Sequence, residues 1–154
     1  MEIVRATFSH VSGIVELWKE LMDFHKNIDS FFSRREDGHI NFEKYVKELI
    51  ESDDSLVLAA LDEGHVVAYS ISQISEYPPV FQIEKYGHIW DMAVKSDYRR
   101  KGIGGRMLAK ILEWFEQRKI NRIELRVVPK NQIGYSFWKK QGFKDYLHVL
   151  YRNK

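Results

Sequence analysis

The residues best placed to do chemistry in this 154-residue chain form one short turn, Arg99-Arg100-Lys101-Gly102-Ile103-Gly104-Gly105. Before it lies a β-rich run, Gly87 to Val94. After it, Ile103, Met107, Leu108, Ile111, Leu112 and Phe115 recur at three- and four-residue spacing, the period of an amphipathic helix. A glycine turn entering a helix directs several backbone N–H groups at one point, where unpaired donors and the helix dipole favour an anion. Gly102, Gly104 and Gly105 let a ligand approach the main chain, and Arg99, Arg100 and Lys101 add formal charge. The chemistry is binding of a phosphate or pyrophosphate. Taken alone, the pattern R-x-x-G-x-G is equally compatible with a solvated basic turn.

Other phosphate motifs fit less well. Met107 stands where a dinucleotide fingerprint has its third glycine, and the chain has no Gly-Lys-Ser/Thr triplet. There is no cysteine, which excludes disulfides, thiolate metal sites and a thiol nucleophile. The six histidines form no metal-ligand spacing, so no metal is expected. A net charge of +2, with 30% charged residues, is too balanced for a nucleic-acid face. No run approaches the ~20 apolar residues of a membrane span. Strand-like residues begin at Glu2, leaving no room for a signal peptide, so a cytoplasmic location is expected.

The elements that must position the turn follow from periodicity. Glu2 to Thr7 reads as a strand, and Ser9 as the cap of a helix carrying Ile14, Leu17, Trp18, Leu21 and Phe24. Lys26 to His39 loses the period and reads as a loop; Phe42, Tyr45, Val46, Leu49 and Ile50 mark a second helix. Ser55–Leu61 and Val66–Ser75 read as a hairpin closed by Asp62-Glu63-Gly64-His65, and Tyr77-Pro78-Pro79 forces a loop. Beyond the turn and its helix come a strand from Arg122 to Val128, a short helix from Asn131 to Lys140, and a terminal strand or hairpin from Phe143 to Arg152. With 44% hydrophobic residues, residues 1–154 suit a single α/β domain with a mixed sheet.

Three segments together resemble the GNAT acetyltransferase superfamily. Arg99-x-x-Gly102-x-Gly104 matches its R/Q-x-x-G-x-G/A signature, Asp91-Met92-Ala93-Val94 is similar to its central strand, and Asn131 with Phe137-Trp138-Lys139-Lys140-Gln141-Gly142-Phe143 is similar to its N…F/L-Y-x-K-x-G-F segment. The resemblance implies one mixed, twisted sheet of about six to seven strands flanked by four helices, its central parallel strands splayed. It implies acetyl-CoA as cosubstrate. Met92, Ala93 and Val94 would lie against the pantetheine, Arg99 through Gly105 around the pyrophosphate, and Asn131 and Trp138 near the cofactor. The implied reaction is direct acetyl transfer to a primary amine.

Where the family commonly has a tyrosine that protonates the departing thiolate, this chain has Trp138, whose indole is no practical acid. Tyr135, three residues earlier on the same helix, is the substitute candidate, with half-buried packing as its other reading. For the base the order of candidates is Asp91, then His88, then Glu84. Strand alternation puts His88, Trp90 and Met92 on one face and Ile89, Asp91 and Ala93 on the other. On the acceptor side, the resemblance points to Phe24–His39 and Glu76–Ile83. There Asp29, Glu36, Asp37 and Glu76 would attract an amine, and Phe31, Phe32, Tyr77 and Phe81 would cover its stem. A homodimer through strands such as Leu147–Tyr151 is expected as well. The rival readings are a non-catalytic acyl-CoA-binding sensor and a nucleotide-binding domain using the same turn.

Overall fold

The computed structural model describes residues 1–154. Five strands, β1 (Glu2–Arg5), β2 (Ser55–Asp62), β3 (His65–Glu76), β4 (Lys85–Val94) and β5 (Ile123–Leu125), form one sheet in sequential order. The first three pairings are antiparallel and β4–β5 is parallel. Four helices cover it: α1 (Val11–Ile28), α2 (Gly38–Glu51), α3 (Ile103–Gln117) and α4 (Gln132–Lys140).

Each face of the sheet has its own core. Val11, Ile14, Leu17, Phe42, Val46 and Leu49 of α1 and α2 pack on Val57, Ala59, Tyr69 and Ile71. On the opposite face, Ile103, Met107, Leu108, Ile111 and Phe115 of α3 pack on Leu56, Leu58, Ala68 and Ile89. The α3 ring of Phe115 lies so close to β4 that a Cβ on Gly87 would stand 2.5 Å from it, so this strand position has room for glycine only. The β2–β3 turn is the two-residue Glu63-Gly64, both with positive φ (48° and 78°), the geometry that suits the twist of a tight hairpin. No helix is long and apolar enough to cross a membrane.

The sheet has five strands rather than six to seven. Residues 143–154 form no strand, and the expected Arg122–Val128 strand is reduced to three residues. Alternating apolar residues make a strand only where an edge is available to pair with, and β5 offers an edge of three residues. Leu147, Val149, Leu150 and Tyr151 are accordingly 76–89% exposed. Two boundaries also move: Thr7, not Ser9, precedes the first helical turn, and α1 runs on to Ile28.

Candidate active site

The basic turn enters α3 through two left-handed residues, Arg100 (φ 63°) and Gly102 (φ 79°). The second is where glycine is required, since it is the helix N-cap and any side chain there would be strained. After the Arg99 N–H, which donates to the Ser96 carbonyl at 3.2 Å, the next N–H with a main-chain acceptor is that of Arg106, which donates to the Gly102 carbonyl at 3.1 Å. The six N–H groups from Arg100 through Gly105 therefore precede the helical ladder and have no acceptor within the chain. They lie at the positive end of a 15-residue helix.

Beside this turn the sheet opens. β5 pairs with β4 only at Gly87, His88 and Ile89. From Asp91 to Val94, β4 is paired with β3 alone, so its other edge is bare. Met92, Gly104 and Phe137 join this edge to the turn. A Cβ on Gly104 would lie 3.2 Å from the Phe137 ring and 4.0 Å from the Met92 sulfur. Arg99 ties the turn back to the strand, its Nε donating to the Val94 carbonyl at 3.1 Å while its guanidinium stands 5.9 Å from the Phe24 ring of α1. Lys101 lies over Tyr98, and the Tyr98 hydroxyl donates to Asp62.

A β-bulge decides which side chains share the site. In the β3–β4 register Ile71 faces Asp91 and Ser72 faces Ile89, so Trp90 is an extra residue without a partner on β3. Simple alternation separates His88 from Asp91. The bulge instead leaves Ile89 and Met92 packed toward the α3 core and Ala93 toward the α1/α2 core, with Asp91 bonded to Tyr69 of that second core. The rings of His88 and Trp90 stack at 3.8 Å and 29°, so His88, Trp90 and Asp91 share the α1/α2 face.

Asp91 Oδ2 accepts a hydrogen bond from the Tyr69 hydroxyl at 3.1 Å. Burial raises its carboxyl above the ordinary carboxylate range; the Tyr69 bond and the charge of His25 oppose that rise without cancelling it. His25 was not among the sequence candidates. A signal for it existed, since it continues the helical stripe Ile14, Trp18, Leu21 at the same spacing. Its Nδ1 lies 2.9 Å from the Leu21 carbonyl, so that nitrogen is a donor.

His88 is 5% exposed, and its pKa is lowered to about 4, first by burial and then by the charge of Arg126. The folded chain thus keeps His88 neutral where the unfolded chain would protonate it. Its contribution to stability is complete above the ordinary value of 6.5 and is lost as pH falls toward 4. Urea unfolding of wild type and His88→Gln should differ in this window, wild type losing roughly 2–3 kcal/mol that the variant does not. Parallel pH profiles would exclude a buried neutral imidazole.

The remaining candidates have other partners. The Tyr135 hydroxyl donates to both Asp145 oxygens at 2.8 and 2.9 Å, which raises its pKa and makes it a weaker acid. Trp138 packs edge-to-face against Phe137 and Phe143. Asn131 caps α4, its Oδ1 accepting from the Gly134 N–H at 3.0 Å. Glu84 is exposed in the loop before β4.

Comparison with known proteins places this architecture. The model of the acetyltransferase (GNAT) family matches residues 14–143. The chain belongs to the GNAT family. An uncharacterized N-acetyltransferase of Archaeoglobus fulgidus is 26% identical to it, over 94% of this chain and 93% of that one. Among solved structures, the tetramutant of the BH1408 protein from Bacillus halodurans superposes with a TM-score of 0.90 at 22% identity, covering all of both chains. The aminoglycoside N-acetyltransferase AAC(6')-Iy, solved with the bisubstrate analog CoA-S-monomethyl-acetylneamine, does so with 0.77 at 17% identity, over 99% of this chain and 97% of that one. In this GNAT chain one mixed sheet is flanked by four helices.

Proposed function

We propose that the protein transfers an acetyl group from acetyl-CoA to a primary amine by direct attack within a ternary complex. The observation that carries this reading is the run of six unpaired N–H groups, Arg100 to Gly105, set beside the bare β4 edge. The first suits a pyrophosphate. The second suits an arm bearing amides, which can add to the edge as a strand would. Met92, Ala93 and Val94 then face the pantetheine. Arg100, Lys101, Gly102, Ile103, Gly104 and Gly105 hold the pyrophosphate, and Arg99 adds charge and braces the turn. Asn131 still has its amide nitrogen free for the cofactor, and Trp138 backs Phe137.

Asp91 is the base. An alkylammonium with a pKa of ~10.4 must lose a proton before it can attack, and a carboxylate held above its ordinary range is the better acceptor for it. The amine nitrogen forms its bond to the acetyl carbon and the carbon–sulfur bond breaks. The proton that nitrogen sheds ends on the departing thiol. With a thiol pKa near ~8.5, departure does not depend on a strong acid.

The commitment of Tyr135 to Asp145 and of Trp138 to packing favours a second reading, an acyl-CoA-binding module without turnover. Calorimetric titration with acetyl-CoA, with NAD and ATP as controls, tests both. The expected result is saturable binding of acetyl-CoA alone. Preference for NAD or ATP would assign the turn to another phosphate ligand. Binding of acetyl-CoA without thiol release for any amine would favour the module.

A homodimer belongs to the same proposal, because the exposed apolar residues between Leu147 and Tyr151 need a covering surface. Sedimentation should give twice the 18.3 kDa chain mass, and a strict monomer at high concentration removes the idea.

A further inference from the structure

We infer that the open indole face of Trp90 is the platform for the acceptor, and that the acceptor is a singly charged primary amine on a ring-bearing, apolar stem. The inference rests on the acetyl-transfer reading above and names its substrate class. Its geometry comes from the bulge, which gives Trp90 no strand partner and places it beside Asp91 on the α1/α2 face.

The indole is held from behind. Phe81, Tyr77, Tyr86, His88 and Trp90 form a ladder of rings with successive centroid distances of 6.0, 4.1, 6.3 and 3.8 Å. The far end is anchored, because the Tyr77 hydroxyl donates to Glu124 and accepts from Arg122 Nε at 3.0 Å. His88, buried, covers one face of the indole, and Trp90 is still 46% exposed. A sixth ring laid on the free face would continue the ladder and set its amine near the Asp91 carboxylate. Offset and edge-to-face ring pairs of this kind gain energy beyond the area they bury.

Charge argues against a polycationic acceptor. Asp23 is paired with Arg34 at 3.3 Å and Asp37 with Arg35 at 3.1 Å. Asp29 Oδ1 accepts from the Phe31 N–H at 3.0 Å, and Glu76 stands opposite Lys85 in the sheet. Of the four loop acids expected to draw in a cation, Asp29, Glu36, Asp37 and Glu76, Asp37 is ion-paired, Asp29 is held by a main-chain N–H and Glu76 faces Lys85, which leaves Glu36 as the one with no such partner. The same loops expose Phe31, Val80 and Ile83 at 83%, 81% and 50%. One carboxylate, an aromatic platform and apolar rims suit one amine on one hydrophobic stem.

Two sources offer that chemistry, a free arylalkylamine and a peptide whose N-terminal residue is aromatic. The test measures thiol release at saturating acetyl-CoA for wild type, Trp90→Ala and Trp90→Phe. The acceptors are phenethylamine, a peptide beginning with Phe, n-propylamine, spermidine and kanamycin. Wild type should use phenethylamine, the peptide or both, with a KM at least ~10-fold below that of n-propylamine, and which of the two is used identifies the source. Trp90→Ala should raise that KM about 10-fold and leave both the n-propylamine KM and acetyl-CoA affinity unchanged. Trp90→Phe should restore most of it. In the CoA-saturated protein, phenethylamine should quench tryptophan fluorescence in wild type and not in Trp90→Phe. The inference is overturned if Trp90→Ala changes all amines alike or none. A preference for spermidine or kanamycin, or turnover of no amine at all, overturns it equally. Failure to bind acetyl-CoA in calorimetry is a separate result, which sinks the underlying reading.

Discussion

Gly105→Glu should weaken acetyl-CoA binding by about 100-fold or more, while the melting temperature is unchanged or slightly raised. Three glycines line the turn, and only this one permits so clean a test. Gly102 sits at φ 79°, where any side chain is strained, and a Cβ on Gly104 would press on the Phe137 ring at 3.2 Å. At Gly105 nothing lies within 4 Å of a Cβ. A glutamate there is the third residue of α3, where a negative charge helps the helix and replacing glycine lowers the entropy of the unfolded chain. The same charge stands where the pyrophosphate would be held. Calorimetry and a thermal melt on one preparation decide the matter, and undiminished affinity would remove the turn from the cofactor site.

Asp91→Asn is expected to lower turnover by about 10²–10⁴-fold, leave acetyl-CoA affinity alone and stabilise the fold at pH 7. The sign of the last effect follows from the raised carboxyl pKa. The folded chain holds that proton more tightly than the unfolded chain, so stability declines as pH rises from the ordinary carboxylate range through the raised value. The deficit therefore acts at pH 7, where the unfolded chain has released that proton. Asparagine keeps an oxygen for the Tyr69 hydroxyl and carries no charge to desolvate. The gain should vanish at a pH below ~3.9, where both states are protonated. A carboxylate kept only for structure would show the opposite, lost stability with unchanged turnover.

The glycine turn and its helix were legible in the residues, and the surroundings of Asp91 were not. The period of Ile103, Met107, Ile111 and Phe115 and the glycines before it locate α3 and its turn within a residue, because both signals are local. The hairpin around Glu63-Gly64 was legible for the same reason. The bulge was not. An extra residue in a strand leaves the hydrophobic alternation looking ordinary, so Asp91 and His88 read as opposite-facing when register brings them together. His25 was hidden because its relevance depends on α1 crossing β4, a long-range fact. Tyr135 read as a substitute acid from the resemblance and its three-residue distance from Trp138, and its bond to Asp145, ten residues on, is a tertiary one. The terminal strand was over-read for want of an edge to receive it.

The bulge also bears on how this site tolerates insertion and deletion. Every other residue of β4 between Lys85 and Val94 is in register with β3, so removing one would slip the pairing beyond it and turn the side chains there to the wrong face. Trp90 is the residue the ladder does not count. Deleting it would leave Ile89 opposite Ser72 and Asp91 opposite Ile71, the very pairs that exist now. The strand therefore carries a spare position between its parallel half and its bare half, where lineages can gain, lose or exchange a side chain while the sheet's pairing and the carboxylate's facing are inherited unchanged.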